Sequence, residues 1–168
     1  CSELLMNGNA EGGDTARFWR PALLSENAKI EVISVASTHA FKVSNRKNFA
    51  DGLLQTVDDR CFTEGSSWKL TARMKLVDHA TGEFASCNPS ETLYKRACPP
   101  VRISGNVNFE RIADEQFYMT NDSLVWKSGS WNQYEVRFTV SRELSLCDNV
   151  LIGIHSFDLD WDLIVDVL

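Results

Sequence analysis

Between residues 43 and 55 the chain reads VSNRKNFADGLLQ, where Arg46, Lys47, two asparagines and Asp51 surround a single aromatic ring, Phe49. Such a set suits a ligand that offers many hydroxyls and a patch of C–H. Guanidinium and amide groups make fork-shaped hydrogen bonds, and an aromatic face packs against ring hydrogens, so the stretch has the chemistry of a sugar site. The alternative role is structural, with Arg46 pairing a surface acid and Phe49 capping a sheet edge. Tyr118 and Trp126, the latter in the loop SLVWKSG, are further candidates for the same surface, and Trp126 serves equally well as an edge-strand core residue. Arg73 and Lys75 alternate with apolar residues and are expected on a solvated strand face.

These residues need a scaffold, and composition bounds it. At 168 residues the chain has the length of one domain, 1–168, large enough to bury a core without metals or disulfides. Charged residues make up 24% and hydrophobic residues 43%, both ordinary for a globular protein, and no apolar stretch reaches the roughly 20 residues of a membrane helix. The net charge of −6 is scattered and no basic run stands out, which argues against a nucleic-acid partner.

Five cysteines stand at positions 1, 61, 87, 98 and 147. None forms a Cys-x-x-Cys pair, and no histidine lies at zinc spacing from them. Cys87 and Cys98 bracket the polar stretch NPSETLYKRA, where a secreted protein would staple a surface loop. Cys61 with Cys147 is a second candidate pair, leaving Cys1 over, and buried free thiols are the alternative. The NDS triplet at Asn121 is a glycosylation sequon, whereas NPS at Asn88 is excluded by its proline. The compartment reads as extracellular, secreted or cell-surface. No signal peptide pattern opens the chain, as expected of a mature chain or a domain cut from a longer one.

The dominant period is two. Trp68, Leu70, Ala72, Met74 and Leu76 alternate with polar residues, as do Tyr134, Val136, Phe138 and Val140, which predicts antiparallel strands with one wet face. Further strands are predicted at 30–35, 40–44, 53–57, 101–104, 107–112, 150–157 and 162–168. Only ADEQFYM and PALLSEN suggest helices. Many short strands in a chain of this length imply an all-β fold, a two-sheet antiparallel sandwich or jelly roll.

In order along the chain, MNGNAEGG with Trp19 beyond it, HAFKVSNR, ADGLLQTV, GSSWKLTARMKL, GSWNQYEVRFTV and DLIVDVL resemble the carbohydrate-binding modules of families 4, 9 and 22. The resemblance spans the chain except about 78–122, and the cysteine-flanked stretch at 86–106 reads as an insertion. It implies a galactose-binding-like β-sandwich that recognises a β-glucan or xylan-type polysaccharide without catalysis. His39-Ala40-Phe41, Trp68-Lys69-Leu70 and the single carboxylate of Val165-Asp166 depart from the family pattern. By the same resemblance Arg46 stands at the groove arginine, Phe49 one position from the stacking tryptophan, and Gln55 at the groove glutamine. His155 lies near a polar groove position, its alternative being a hydrogen-bonded histidine at a sheet margin. Trp131, Trp19 and Trp68 are expected in the core. Glu11 and Asp166 match the carboxylates of a structural calcium ion, with Asn9 as a third candidate, and calcium accepts six to eight oxygens in flexible geometry. DLDWD alternates acids at 158, 160 and 162 but lacks the glycine and distal glutamate of a calcium loop, so it reads as an acidic turn.

No Gly-x-Ser-x-Gly elbow, His-Glu-x-x-His or phosphate-binding glycine loop occurs, which speaks against an enzyme. Glycoside hydrolysis needs two carboxylates at a defined separation, and among 23 acids such a pair is not excluded by counting. The other competing reading is a structural or adhesive extracellular domain that binds a protein partner and has no sugar groove. Neighbouring domains of a longer chain are a further expected partner.

Overall fold

In a computed structural model the described residues are 5, 10, 18–21, 27–91, 96–108, 110–118 and 125–167, of which Asp59 is described in its backbone only. They form eleven strands: β1 (Arg20–Pro21), β2 (Lys29–Val35), β3 (Thr38–Ser44), β4 (Leu53–Thr56), β5 (Ser67–Asp78), β6 (Phe84–Ala85), β7 (Val101–Val107), β8 (Glu110–Phe117), β9 (Asn132–Thr139), β10 (Asn149–Ile154) and β11 (Trp161–Val167). One short helix, α1 (Arg142–Ser145), is capped by Ser141, whose hydroxyl accepts from the Leu144 N–H.

The strands divide into two antiparallel sheets. A five-stranded sheet runs β1-β4-β10-β7-β8, and a six-stranded sheet runs β2-β3-β11-β5-β6, with β9 also paired to β5. The twelve-residue β5 serves both neighbours on one edge, pairing residues 67–74 with β9 and residues 76–77 with β6. Alternation along the strands points Phe41, Val43, Ala72, Met74, Leu163 and Val165 from one sheet at Leu53, Val101, Ile103, Ile152 and Ile154 from the other. These side chains are almost wholly buried. The all-β sandwich expected from the period-two pattern is the architecture observed.

Local departures have identifiable causes. ADEQF, expected to be helical, lies in β8, because Val101, Ile103 and Gly105 of β7 pair with Phe117, Glu115 and Ala113 and the ladder outweighs weak helical propensity. PALLSEN lies mostly outside the described residues. The expected insertion at 86–106 ends in β7, which is hydrogen-bonded between β10 and β8. The predicted strand at 150–157 stops at Ile154, where Ser156 adopts φ 66° and turns the chain. Cys87 and Cys98 are disulfide-bonded, with Cα atoms 4.9 Å apart. The expected pairing of Cys61 with Cys147 is absent. Cys61 is disulfide-bonded, whereas Cys147 is a buried free thiol whose Sγ donates to the Glu143 carbonyl and lies against Gly105.

Candidate functional site

The stretch that raised the sugar reading is built as a turn. Asn45 takes a left-handed φ of 53°, and Asp51 Oδ2 accepts from the N–H groups of Lys47 and Asn48, each at 2.9 Å. Asn48 Oδ1 accepts from Ala50 N–H at 3.0 Å, so the polar residues close their own loop. Arg46 is the hub. Its guanidinium makes five hydrogen bonds with its five N–H groups: Nε to Asp51 O (2.7 Å), Nη1 to Asp158 O (2.6 Å) and Trp161 O (3.1 Å), and Nη2 to Phe157 O (2.8 Å) and Phe49 O (3.3 Å). Its Cζ sits 3.5 Å from the centre of the Phe157 ring.

Arg46 is therefore not an open groove donor as expected. It is 6% exposed, and every donor is committed to a backbone carbonyl of the 46–51 or 157–161 turns. Burial pushes its pKa down to about 10, opposed by Asp51, Asp162 and Asp158, so it stays charged at neutral pH. A cation of fixed fork shape satisfies turn carbonyls that no strand can reach.

Gln55 likewise departs from expectation. It pairs with Ile152 across β4 and β10, and paired residues share a face, so this 2%-exposed side chain points into the sandwich. Trp126 is buried, its indole N–H donating to Ala85 O at 3.2 Å, so the core role holds. Trp19 is core, its ring tilted against that of Phe41 with centroids 5.6 Å apart, Trp68 packs half-buried at the core margin, and Trp131 lies outside the core.

Three candidates do gather. The register row Leu53–Ile154–Val101–Phe117 ends the five-stranded sheet, and the next residues along β4, β10 and β8 are Gly52, His155 and Tyr118. A Cβ on Gly52 would meet His155 Cβ at 2.5 Å, and Ser156 N–H donates to Phe49 O at 2.7 Å. The Phe49 loop, His155 and Tyr118 thus share one end of this sheet. His155 lies over its outer face, since a Cβ on Gly153 would sit 3.4 Å from the imidazole Cδ2.

That outer face carries residues the sequence reading missed. Its rows are Arg20–Leu54–Gly153–Arg102–Gln116 and Thr56–Leu151–Ser104–Asp114. The central Gly153 and Ser104 are buried while Arg20, Thr56 and Gln116 at the flanks are exposed. Gly153 has no room for a side chain: a Cβ would stand 2.7 Å from Leu54 Cδ1 and 2.8 Å from Leu53 O. Arg102 makes a two-pronged pair with Asp114, Nε to Oδ1 at 3.2 Å and Nη2 to Oδ2, and Arg111 adds a contact to the same carboxylate at 3.3 Å. Arg102 Nη1 also reaches Ser156 Oγ at 3.5 Å, which meets His155 Nδ1 at 2.8 Å. Burial first, then the nearby Arg102 charge, lowers the His155 pKa to about 4, so the ring is neutral at neutral pH. The signal for this face was the alternation of Arg102, Ser104 and Asn106 with Val101, Ile103 and Gly105. It falls where the family resemblance lapses.

Of the calcium candidates, Glu11 and Asn9 lie outside the described residues. Asp166 holds Arg73, which donates from Nε to Oδ2 at 2.8 Å, so a cation there would share the carboxylate with a guanidinium. Among the described residues no three His, Cys, Asp or Glu side chains form a metal cluster. In the acidic turn Asp158 accepts from Asp160 N–H, and Asp162 pairs with Lys42 at 3.1 Å. The Asn121 sequon also lies outside the described residues.

The two-sheet antiparallel sandwich is an architecture that this chain shares with solved carbohydrate-binding modules. The chain superposes on the CBM22-2 xylan-binding domain of Paenibacillus barcinonensis Xyn10C with a TM-score of 0.59 at 15% identity, covering 92% of each chain. It matches a family 16 carbohydrate-binding module with a TM-score of 0.59 at 17% identity, over 99% of this chain and 98% of the other. A Stig cyclase from Fischerella sp. TAU has the same fold at a TM-score of 0.52 and 14% identity, covering 96% and 92%. No protein-family model matches the chain, and neither does any curated protein.

Proposed function

We propose that this chain is a non-catalytic carbohydrate-binding module that holds a xylan-type polysaccharide in the trough on the outer face of its five-stranded sheet. The observation that carries this reading is the Asp114–Arg102–Ser156–His155 chain of polar groups, laid across the outer face beside Gly153 and Ser104. Paired arginine and carboxylate groups offer donors and acceptors at fixed spacing to vicinal hydroxyls, and Phe49 and Tyr118 border one end with apolar surface. The likeness of fold to a xylan-binding domain supports the same choice of ligand. A trough with this little aromatic surface leaves much of the sugar wet, so dissociation constants of roughly micromolar to millimolar are expected. Modules of that affinity act through avidity beside neighbouring domains of a longer chain. An extracellular setting agrees with the Cys87–Cys98 disulfide.

Affinity electrophoresis against β-1,4-xylan, β-glucan and mannan tests the reading. Retardation on xylan that disappears in Arg102→Ala and weakens in Phe49→Ala is the expected result. No retardation on any of the polymers overturns it. The rows of the trough lack an aromatic ring, which favours the rival reading of a protein-binding domain, and a pull-down then recovers the partner. A structural calcium at Glu11, Asn9 and Asp166 belongs to the same proposal. A chelator that lowers the melting temperature supports it, and an unchanged temperature removes it.

A further inference from the structure

The opposite face of the sandwich carries a second, differently built surface. On the outer side of the six-stranded sheet Trp131 and Phe84 flank Lys75, whose Nζ lies 5.0 Å from the indole centre and 5.2 Å from the phenyl centre. Phe84 is 50% exposed, and Trp131 is half-buried. Arg73, two residues before Lys75 on β5, stacks its Cζ 4.9 Å from the same indole.

The backbone that carries both rings is pinned by hydrogen bonds. The loop from Trp126 to Trp131 is anchored at one end by the buried Trp126 indole on Ala85 O. At the other end Asn132 bonds Lys127 N, Lys127 O and Ser130 O at 2.8, 3.1 and 2.9 Å. Ser128 Oγ donates to Phe84 O at 2.7 Å, and the Phe84 ring lies against Gly129, whose φ of 76° is a conformation that favours glycine. Exposed aromatics on a backbone fixed in this way lose little entropy on binding.

The charges on this face are not all matched. Arg73 is neutralised by Asp166, and Lys42 by Asp162, but Lys75 has no carboxylate within ion-pair distance among the described residues. Arg73 directs Nε and Nη2 at Asp166 and Thr38. In a chain of net charge −6, an ammonium between these two rings that has no carboxylate partner among the described residues complements a ligand that is anionic and flat-faced.

We propose that Trp131, Phe84, Lys75 and Arg73 form a second saccharide site, specific for the carboxylate-bearing (uronate) units of an acidic polysaccharide. Pyranose C–H faces pack on the rings, and the uronate carboxylate takes the Lys75 ammonium. This site is independent of the trough, and a polymer with neutral and acidic units would engage both faces.

The test compares glucuronoxylan with the same polymer after its carboxylates are reduced to alcohols, by affinity electrophoresis and titration calorimetry. The parent protein is expected to bind the acidic polymer about tenfold more tightly at low salt, the scale of one charge-assisted hydrogen bond, with the preference fading towards about 1 M salt. Lys75→Gln should remove that preference and leave binding to the reduced polymer unchanged, and Trp131→Ala should weaken the acidic polymer while the unfolding midpoint confirms the fold. Arg102→Ala should weaken the reduced polymer but keep the Lys75-dependent preference, so failure of the trough and failure of this site are told apart. Equal affinity of the parent for both polymers, or a preference that survives Lys75→Gln, overturns the proposal. So does a protein partner seated on Trp131 without any uronate preference.

Discussion

Replacing Arg46 separates a groove arginine from a structural one. The side chain satisfies five carbonyls in two turns, and truncation leaves them facing a cavity where the guanidinium stood. A single hydrogen bond from a charged donor contributes about 1.5–3 kcal/mol, but five on one group share a single desolvation cost and do not add. Removing one partner of a buried charged network typically costs about 3–5 kcal/mol, so Arg46→Ala is expected to lose on the order of 4 kcal/mol. That is a large share of the roughly 5–15 kcal/mol of a native domain. Arg46→Lys keeps the charge but has three donors for five carbonyls and lacks the planar fork, so an intermediate loss of about 2 kcal/mol is expected. Urea unfolding followed by tryptophan fluorescence measures both. If Arg46→Ala unfolds within about 0.5 kcal/mol of the parent yet no longer binds polysaccharide, the structural assignment is wrong.

Two other outcomes follow from the same coordinates. The folded-state pKa of His155, about 4, lies below the unfolded value of 6.5, so its contribution is fully present above pH 6.5 and is lost as pH falls towards 4. The loss is about 3 kcal/mol in all, and His155→Gln should flatten the slope of melting temperature between pH 6.5 and 5. Removing the Cys87–Cys98 bridge, which closes a loop with a sequence separation of 11, should cost about 3 kcal/mol on chain-entropy grounds; a Cys87→Ser/Cys98→Ser variant with the parent's unfolding midpoint would contradict this.

The fold was legible because period-two alternation is a local property: each of the residues Leu70, Ala72, Met74 and Leu76 marks the buried side of β5 without reference to any other strand. The Cys87–Cys98 pairing was legible from its polar loop. ADEQF was misread because its neighbours in sequence carry no sign of the β7 ladder that extends it, and the helical turn at Arg142 is too short to leave a pattern.

The site was harder to read for a physical reason. Sequence determined that the stretch between the strands predicted at 40–44 and 53–57 is polar, and it left Arg46 open to a ligand or a surface acid, neither of which is the partner it takes. Only the approach of the 157–161 turn, more than a hundred residues away, decided for the carbonyls. Gln55, one position in a strand of known alternation, was assigned its face by its pairing with Ile152. Arg102 joined Asp114, Ser156 and His155 because three strands in non-consecutive order lie side by side. Likewise the rings of Trp131 and Phe84 meet Lys75 only once β9 and β6 share one edge of β5. Residue types and period are written along the chain, whereas which donors meet which acceptors is set by contacts between distant segments, and these exist only in the folded sandwich.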